Sequence, residues 1–410
     1  IVGIAWIGAS FHFVWLDYSL RARERMSEGV SGTSWMVHGG GDIPQLRRFI
    51  DREIMPHVDE WDEQGFLPEE LWGKAAEFGL LGLGYPEQYG GIETGIDLYH
   101  HNILSEELSR TSLGGLPSTL LSHGIGMPPV VAFGSESLKS EIIPPVLAGE
   151  KRICLAITEP SGGSDVANLQ TTAVRDGEHY IVNGSKTFIS GGMGSHWATT
   201  GVRTGGEGGS GVSVLVIPMD LEGVSRTPLN KKQGWWCSDT ATLYFDNVRV
   251  PAGNLLAEEG NGFLVIANNF NDERLAMAVM MEAFARVCLE DAVNWAQERK
   301  TFGKRLADHQ VIRHKIAEMK QRINVCQTYI QHCTRQVITG TADFGDIALL
   351  KVQCSQTMEF CAREAMQILG GIGYMRGNRV ERIYREVRVN AIGGGSEEIM
   401  RDLASRAYGL

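Results

Sequence analysis

What most limits how this chain can fold is that its hydrophobic period changes twice along its length. From Ile43, apolar residues recur at three- and four-residue steps: Leu46, Phe49, Ile50, Ile54, Val58 and Trp61. That is the stripe of an amphipathic helix. Pro68 opens a second helical stretch through Trp72, Ala76 and Leu80 to Gly82, and further helical runs are expected near 96–110 and 136–148. Pro128 and Pro129 interrupt another between them. From Lys151 to about Asn261 the runs become short and strand-like: Tyr180–Val182, Thr187–Ile189, Val212–Ile217, Ala241–Phe245 and Val248–Val250. Turn signals separate them at Asp176-Gly177, at Asn183-Gly184 and in a glycine-rich stretch at 205–211. That stretch reads as a linker and not a phosphate loop, because no helix opens after it. Long amphipathic patterns then return at 262–297, 308–338, 343–370 and 379–388, with a last helix from Ser396. Long helices on short connections suggest a bundle. The order predicts an α+β multidomain protein: a helical domain over 42–150, a small β-barrel or sandwich over 151–261, and a helical bundle over 262–410.

A chain of 410 residues, 43% hydrophobic and 21% charged, can bury a sizeable core across two or three domains. A formal net charge of −11 argues against a nucleic-acid partner, since phosphate binding needs a basic face. The seven cysteines form no C-x-x-C pair and no zinc-spaced cluster. Cys154, Cys237, Cys288, Cys326, Cys333, Cys354 and Cys361 read as buried thiols of a reducing compartment, so a cytoplasmic location is expected. Residues 1–41 stand apart. IVGIAWIGASFHFVWL carries no acid or base before Asp17 apart from His12, falls a little short of the roughly 20 residues of a spanning helix, and is followed by Arg21, Arg23 and Arg25. With GVSGTSWMVHGGG behind it, this segment resembles the opening of a bacterial integral membrane protein of the urate oxidase type. A membrane tether through residues 1–16 and an unrelated appendage both remain open, and the segment is set aside from the fold argument.

The chemistry concentrates between Cys154 and Ser190. Thr158-Glu159-Pro160-Ser161-Gly162-Gly163-Ser164-Asp165 is a hydroxyl-rich loop stiffened by Pro160, in which Gly162 and Gly163 let backbone N–H groups approach a ligand. Such a loop can cradle a pyrophosphate or the polar edge of a ring, although alone it would more often be a surface turn. Its company decides. TEPSGGSD, VNGSKTFISGG, RKTFGKRLADHQ and QILGGIGY occur in the order and at the spacing of the acyl-CoA dehydrogenase family of flavoproteins, and the resemblance runs from about Asp42 to Leu410. It implies an N-terminal helical domain, a middle β-domain, and a C-terminal four-helix bundle that also makes the oligomer contacts. It also implies FAD as cofactor and α,β-dehydrogenation of an acyl-CoA thioester to a trans-2-enoyl-CoA, as in fatty acid β-oxidation. The electrons would pass to an electron-transfer flavoprotein, and the assembly would be a homotetramer, a dimer of dimers.

An α-CH beside a thioester is a poor acid, so the site needs donors for an enolate-like oxygen and a base whose pKa is raised toward neutrality. Many family members carry that base as a Glu at the position of Gly394. This chain reads Ile392-Gly393-Gly394-Gly395-Ser396-Glu397-Glu398, so the carboxylate is absent there. Glu397 and Glu398 are three or four positions off and suit the first turn of a helix, where acids meet the dipole favourably. Glu273 is the stronger candidate. With Phe263, Ile266, Phe270 and Met277 it follows a 3-4-3-4 spacing, which places an acid on a buried stripe. Burial would raise its pKa; the dull alternative is a core salt bridge, which adjacent Arg274 does not easily supply. In the long-chain and isovaleryl branch of the family the base does sit just before this helix's Arg. Arg274 is expected to hold the site's hydrogen bonds beside it, and the Gly394 N–H to donate to the thioester oxygen together with a flavin ribityl hydroxyl.

The same resemblance implies the flavin contacts. Leu155 to Ser164 matches the loop at the ring and pyrophosphate, with Thr158 at the ring's polar edge and Ser164 near the phosphates. Phe188 matches the aromatic residue packed on the ring, and Ser190 the hydroxyl that meets N5. Arg299, Thr301, Gln310 and Gln367 to Gly371, with Gly370, match the set that reaches FAD from a neighbouring subunit, and Ser396 to Glu398 would close over the adenosine side. Substrate contacts are expected at Ser164, Arg274 and Gly395. Taken in isolation, Arg299 reads as a helix C-terminal cation and Gly370-Gly371 as a C-cap. Two other activities stay open at this level: an oxidase on the same fold that uses oxygen, and a catalytically silent acyl-CoA or protein-binding scaffold, for which the missing loop Glu is the main support.

Overall fold

The structure, a computed structural model, describes residues 43–410. The separate segment read over 1–41 lies outside the described residues. Among those described, no helix is long and apolar enough to cross a membrane.

The chain opens with eight helices: α1 Ile43–Glu53, α2 Val58–Gln64, α3 Glu70–Glu77, α4 Leu98–Ser109, α5 Gly115–Leu120, α6 His123–Gly126, α7 Pro128–Phe133 and α8 Glu136–Leu147. The stripe Leu46, Phe49, Ile50, Ile54, Val58 and Trp61 is buried, packed against Leu71, Trp72 and Leu108. Polar caps set where helices begin. Asp97 and His100 close a capping box on α4, and Ser135 accepts from the Leu138 N–H on α8. Pro128 and Pro129 open α7, at positions where a missing N–H costs nothing. The region therefore folds as short separate helices, where sequence reading expects one interrupted helix.

The sheet holds β1 Ile153–Ala156, β2 Thr172–Asp176, β3 His179–Ser190, β4 Trp197–Arg203, β5 Val212–Pro218, β6 Val224–Pro228, β7 Thr240–Pro251 and β8 Leu255–Leu256. Its order is β6-β7-β3-β2-β4-β5-β8, with β1 parallel to β4. Pattern reading names no strand at β1, β2, β4, β6 or β8, and two of these show why. β4 is buried on nearly every residue, so it shows no alternation, and β6 is nearly all polar or exposed. The expected turn at Asn183-Gly184 is corrected: β3 runs straight through it for 12 residues, as does its partner β7. The pair instead carries a register shift between Val182 and Gly184, where the Asn183 Oδ1 accepts from the Asn247 N–H at 2.9 Å. A Cβ at Gly184 would lie 2.6 Å from the Thr171 Oγ1, so only glycine fits. A bulge device has used the residues of a hairpin.

After the sheet come α9 Gly262–Glu298, the short hairpin β9 Lys300–Thr301 with β10 Lys304–Arg305, then α10 Gln310–Ile338, α11 Phe344–Leu369, α12 Arg379–Ile392 and α13 Glu397–Ala407. α9, α10, α11 and α12 enclose one core around Phe284, Met319, Ile330, Met358 and Ile383. α13 lies outside them on α11, through Met400 and Ala404 against Ala348 and Val352. The 37-residue α9 links the layers. Its first turns join Val265 and Ile266 to a core shared by sheet strand β5 and helix α8, and its later turns enter the bundle.

Candidate active site

The hydroxyl-rich loop leaves β1 and is held from below by one buried ion pair. The Lys186 Nζ donates to the Glu159 Oε1 at 2.8 Å and to the Ile157 carbonyl at 3.0 Å. The two side chains are 0% and 3% exposed. Glu159 also accepts from the backbone N–H groups of Gln170 and Thr171. Burial opposes its ionisation, but Lys186 and the Thr171 and Gln170 donors outweigh that and bring its pKa down to about 2. Glu159 and Gly162 exchange backbone hydrogen bonds at 3.1 Å, a tight turn that sets Pro160 to Asp165 outward, all exposed. The Thr187 N–H donates to the Thr158 carbonyl at 2.8 Å, which ties this loop to β3. The two segments singled out in the sequence are therefore adjacent in space.

One residue past that tie, Phe188 takes φ +58°, left-handed for a bulky side chain, inside a second register shift between Lys186 and Ile189. Its ring is 70% exposed. A strained backbone that turns an aromatic face to the outside marks a built surface. Thr158 and Ser190 are half-buried beside it, as is Leu155 at the end of β1. An exposed aromatic, two hydroxyls and the exposed backbone of Gly162, Gly163 and Ser164 suit a flat heteroaromatic ring with a phosphate-bearing tail. By this geometry a flavin fits.

The base candidate enters from α9 over the same sheet. A Cβ at Gly201 of β4 would touch both the Ile157 side chain, at 3.2 Å, and Ile266 of α9, at 3.4 Å. Two turns beyond Ile266 stands Glu273, partly buried. The expected stripe needs correction here. Phe263 is 40% exposed, and Phe270, Glu273 and Met277 are only partly buried. The fully enclosed line of α9 runs through Val265, Ile266 and Leu275. Of the expected stripe, Glu273 and Met277 face the α12–α13 turn.

That turn is Gly393-Gly394-Gly395, with φ of +66° at Gly394 and +100° at Gly395. A Cβ built on Gly394 would lie 3.9 Å from the Glu273 Oε1 and 2.6 Å from the Met277 Sδ. The acid on α9 thus faces the position where a loop carboxylate would start. The Arg274 Nε donates to the Gly394 carbonyl at 3.2 Å and its Nη1 to the Asn271 Oδ1, so Arg274 grips the turn and not Glu273. Among the described residues no hydrogen bond reaches the Glu273 carboxylate. Burial raises its pKa, against the nearby charges of Arg274 and Lys351. Glu397 is otherwise engaged. It accepts from the Ser355 Oγ at 2.6 Å and the Gln356 Nε2 at 3.0 Å, pairs with Arg401, and is held below its ordinary pKa as these contacts overcome burial. Glu398 is exposed in the first turn of α13, which Ser396 caps.

The remaining expected flavin residues do not join this cluster within one chain. Arg299, Gln310, Gln367, Gly370 and Gly371 are exposed, and the Thr301 hydroxyl meets the His309 Nε2 at 3.4 Å. Among the described residues no hydrogen bond or ion pair links any of them to the Thr158–Ser164 loop, Phe188 or Ser190. Beside them Phe302 is 97% and Tyr374 80% exposed. Sequence reading missed Lys186 and Lys351, both fully enclosed. The signal for Lys351 was present: a lysine inside the apolar run IALLKV.

Three domain models match the chain in order: the acyl-CoA dehydrogenase N-terminal domain over 44–150, the middle domain over 154–248 and the C-terminal domain over 260–409. A fourth, the urate oxidase N-terminal segment, matches 1–64. Among curated relatives, the acyl-CoA dehydrogenase AFT10-1 of Alternaria alternata is 36% identical over 383 residues, 88% of each chain. The mitochondrial long-chain specific acyl-CoA dehydrogenase of Sus scrofa is 35% identical, over 88% of this chain and 84% of its own length. Among solved structures, a probable acyl-CoA dehydrogenase from Mycobacterium abscessus is 42% identical, with a TM-score of 0.87 over 90% of this chain and 97% of its own. A glutaryl-CoA dehydrogenase from Mycobacterium smegmatis in complex with FADH2 is 26% identical, with a TM-score of 0.85 over 95% and 97%.

Proposed function

The chain belongs to the acyl-CoA dehydrogenase family of FAD-dependent oxidoreductases, and from that premise we propose that it converts an acyl-CoA to a trans-2-enoyl-CoA with Glu273 as the base. The reading is carried by one observation: the Glu273 Oε1 lies 3.9 Å from where a Cβ on Gly394 would stand. An acid with no hydrogen bond among the described residues, facing a turn that can offer backbone donors, is what α-proton removal from a thioester requires. Glu273 takes a proton from the α carbon, and the Gly394 N–H holds the thioester oxygen as charge develops on it. Arg274 keeps the Gly394 carbonyl turned away from that oxygen's place. FAD, when bound, supplies the acceptor for the β hydrogen as hydride. Phe188 would hold the ring's face, Thr158 and Ser190 would offer hydroxyls to its polar edge, and Ser164 would lie toward the phosphates. Gly395 lines the thioester side with Ser164 and Arg274. Arg299, Thr301, Gln310, Gln367, Gly370, Gly371, Ser396 and Glu398 serve the cofactor across a dimer contact, which explains why one chain leaves so many of them exposed. The protein works as a homotetramer, and electrons leave to an electron-transfer flavoprotein. The long-chain relative supports a long acyl chain as substrate.

Anaerobic mixing with a ladder of saturated acyl-CoA thioesters should bleach the flavin, most quickly at one chain length. Peroxide release during aerobic turnover would point to the oxidase instead. A Glu273→Gln protein that holds flavin and still bleaches at the wild-type rate would remove Glu273 from the reaction.

A further inference from the structure

Lys351 is a buried cation that the reaction as described leaves unused. It lies on α11 with Ile347, Ala348 and Leu350 around it, and it is 0% exposed. Its Nζ donates to the Gly395 carbonyl at 2.8 Å. A buried ammonium costs several kcal/mol relative to a packed apolar side chain, at the order-of-magnitude level. The alkyl length alone does not account for it, since methionine would fill the same space. Its surroundings are those of the active site. From α9 it faces Glu273 and Arg274, and from the start of α13 it faces Glu397 and Glu398. Arg274 holds the carbonyl of Gly394 and Lys351 that of Gly395. Two cations on two helices therefore pin successive carbonyls of a turn whose three glycines supply no side chain of their own.

We infer that Lys351 is a positioning residue for the reaction: it fixes the Gly393–Gly395 turn against Glu273 and sets a positive charge behind the base. This rests on the reading of Glu273 given above. The glycine turn is intrinsically loose, because glycine loses more backbone freedom on ordering than any other residue. A turn meant to offer a backbone donor at a fixed place needs anchors, and the carbonyl grips provide them. The charge has a second effect. Lys351, like Arg274, favours the ionised form of Glu273, which burial disfavours. Burial also lowers Lys351 itself to about 8, against the attraction of Glu397. The base is thus competent above its own raised pKa, and its support weakens as pH climbs through about 8.

The test reads the base without relying on turnover. A 3-thiaacyl-CoA has α hydrogens but sulfur at the β position, so no hydride can leave. Exchange of those hydrogens in D2O, followed by mass spectrometry across pH on the flavin-loaded protein, reports proton removal alone. Lys351→Met should shift the acidic midpoint of exchange upward by about one pH unit, a loss of about tenfold on the acidic side. Lys351→Gln keeps a donor for Gly395 but no charge. It should recover part of the rate at high pH and none of the midpoint shift, and it carries the test if the Met variant does not fold. Lys351→Arg should restore the midpoint and abolish the decline near pH 8. A folded Met or Gln variant with the wild-type midpoint overturns the inference. Glu273→Gln separates the two ideas. If it exchanges at the wild-type rate, the reading of the base fails. If it is silent while the Lys351 variants keep the wild-type profile, the role of Lys351 alone fails.

Discussion

Glu159 and Glu273 are the same residue type, and the fold treats them oppositely. Glu159 is taken out of water with everything an ionised carboxylate asks for: an ammonium at 2.8 Å and two backbone N–H donors. It stays charged down to about pH 2 and serves as an anchor for the loop above it. Glu273 is set against Met277 and a glycine backbone, with its nearest arginine turned to a carbonyl and not to it. Burial pushes its pKa up. Position along the chain does not predict which acid is held ionised and which is left without donors among the described residues. The number of donors aimed at each carboxylate does.

Four experiments strain that contrast. The largest effect is expected at Glu273, where Gln keeps the shape and removes the base. Flavin reduction by acyl-CoA in stopped flow should fall by about 10²–10⁴-fold with little change in flavin content. At the anchor the loss should appear as stability. Lys186→Met leaves Glu159 buried without its cation, and breaking such a pair costs about 3–5 kcal/mol. A lower Tm and loss of flavin on gel filtration would show it. The double variant Lys186→Met with Glu159→Gln should recover much of that Tm, since no unpaired charge remains; a double variant as unstable as the single one would refute the ion-pair account. Gly394→Ala tests the contact between the turn and the acid. Its Cβ would meet the Met277 Sδ at 2.6 Å and must adopt φ +66°. A loss of about 1–2 kcal/mol in stability, with slower flavin bleaching, is expected.

The smallest effect sharpens the comparison most. Glu273 has a folded pKa above its unfolded value, so between the two the folded state holds more protons and stability falls as pH rises. Replacing it by Gln removes that slope. The variant should gain stability near pH 8 and nearly none near pH 4, read as Tm across pH. Glu159 has the reverse sign. Its folded pKa lies below the unfolded one, so its contribution is complete above about pH 4.5 and fades as pH falls toward about 2. A Glu273→Gln protein that is less stable than wild type at pH 8 would mean the acid is a structural ion after all.

Much of this was legible in the residues. The stripe from Leu46 to Trp61 is buried as its spacing implied, and the long helices of the last third lie where their periodicity put them. Where pattern reading failed, the cause was contact. Asn183-Gly184 carries a turn signal, but an asparagine across the ladder, Asn247, uses it for a bulge. The stripe through Phe263 and Glu273 has a helical period, yet Phe263 is exposed and Glu273 and Met277 meet a turn of glycines instead of a core.

The order of helix, sheet and helix, the two loop motifs, the glycine at 394 and the acid at 273 were all written in the linear chain, because local period and residue type depend on near neighbours. Lys186 under Glu159, Lys351 behind the glycine turn, and Arg274 aimed at a carbonyl 120 residues away were not. Those partners meet only when the sheet and the bundle close, and it is which donors then arrive at each carboxylate that makes one an anchor and leaves the other available as a base.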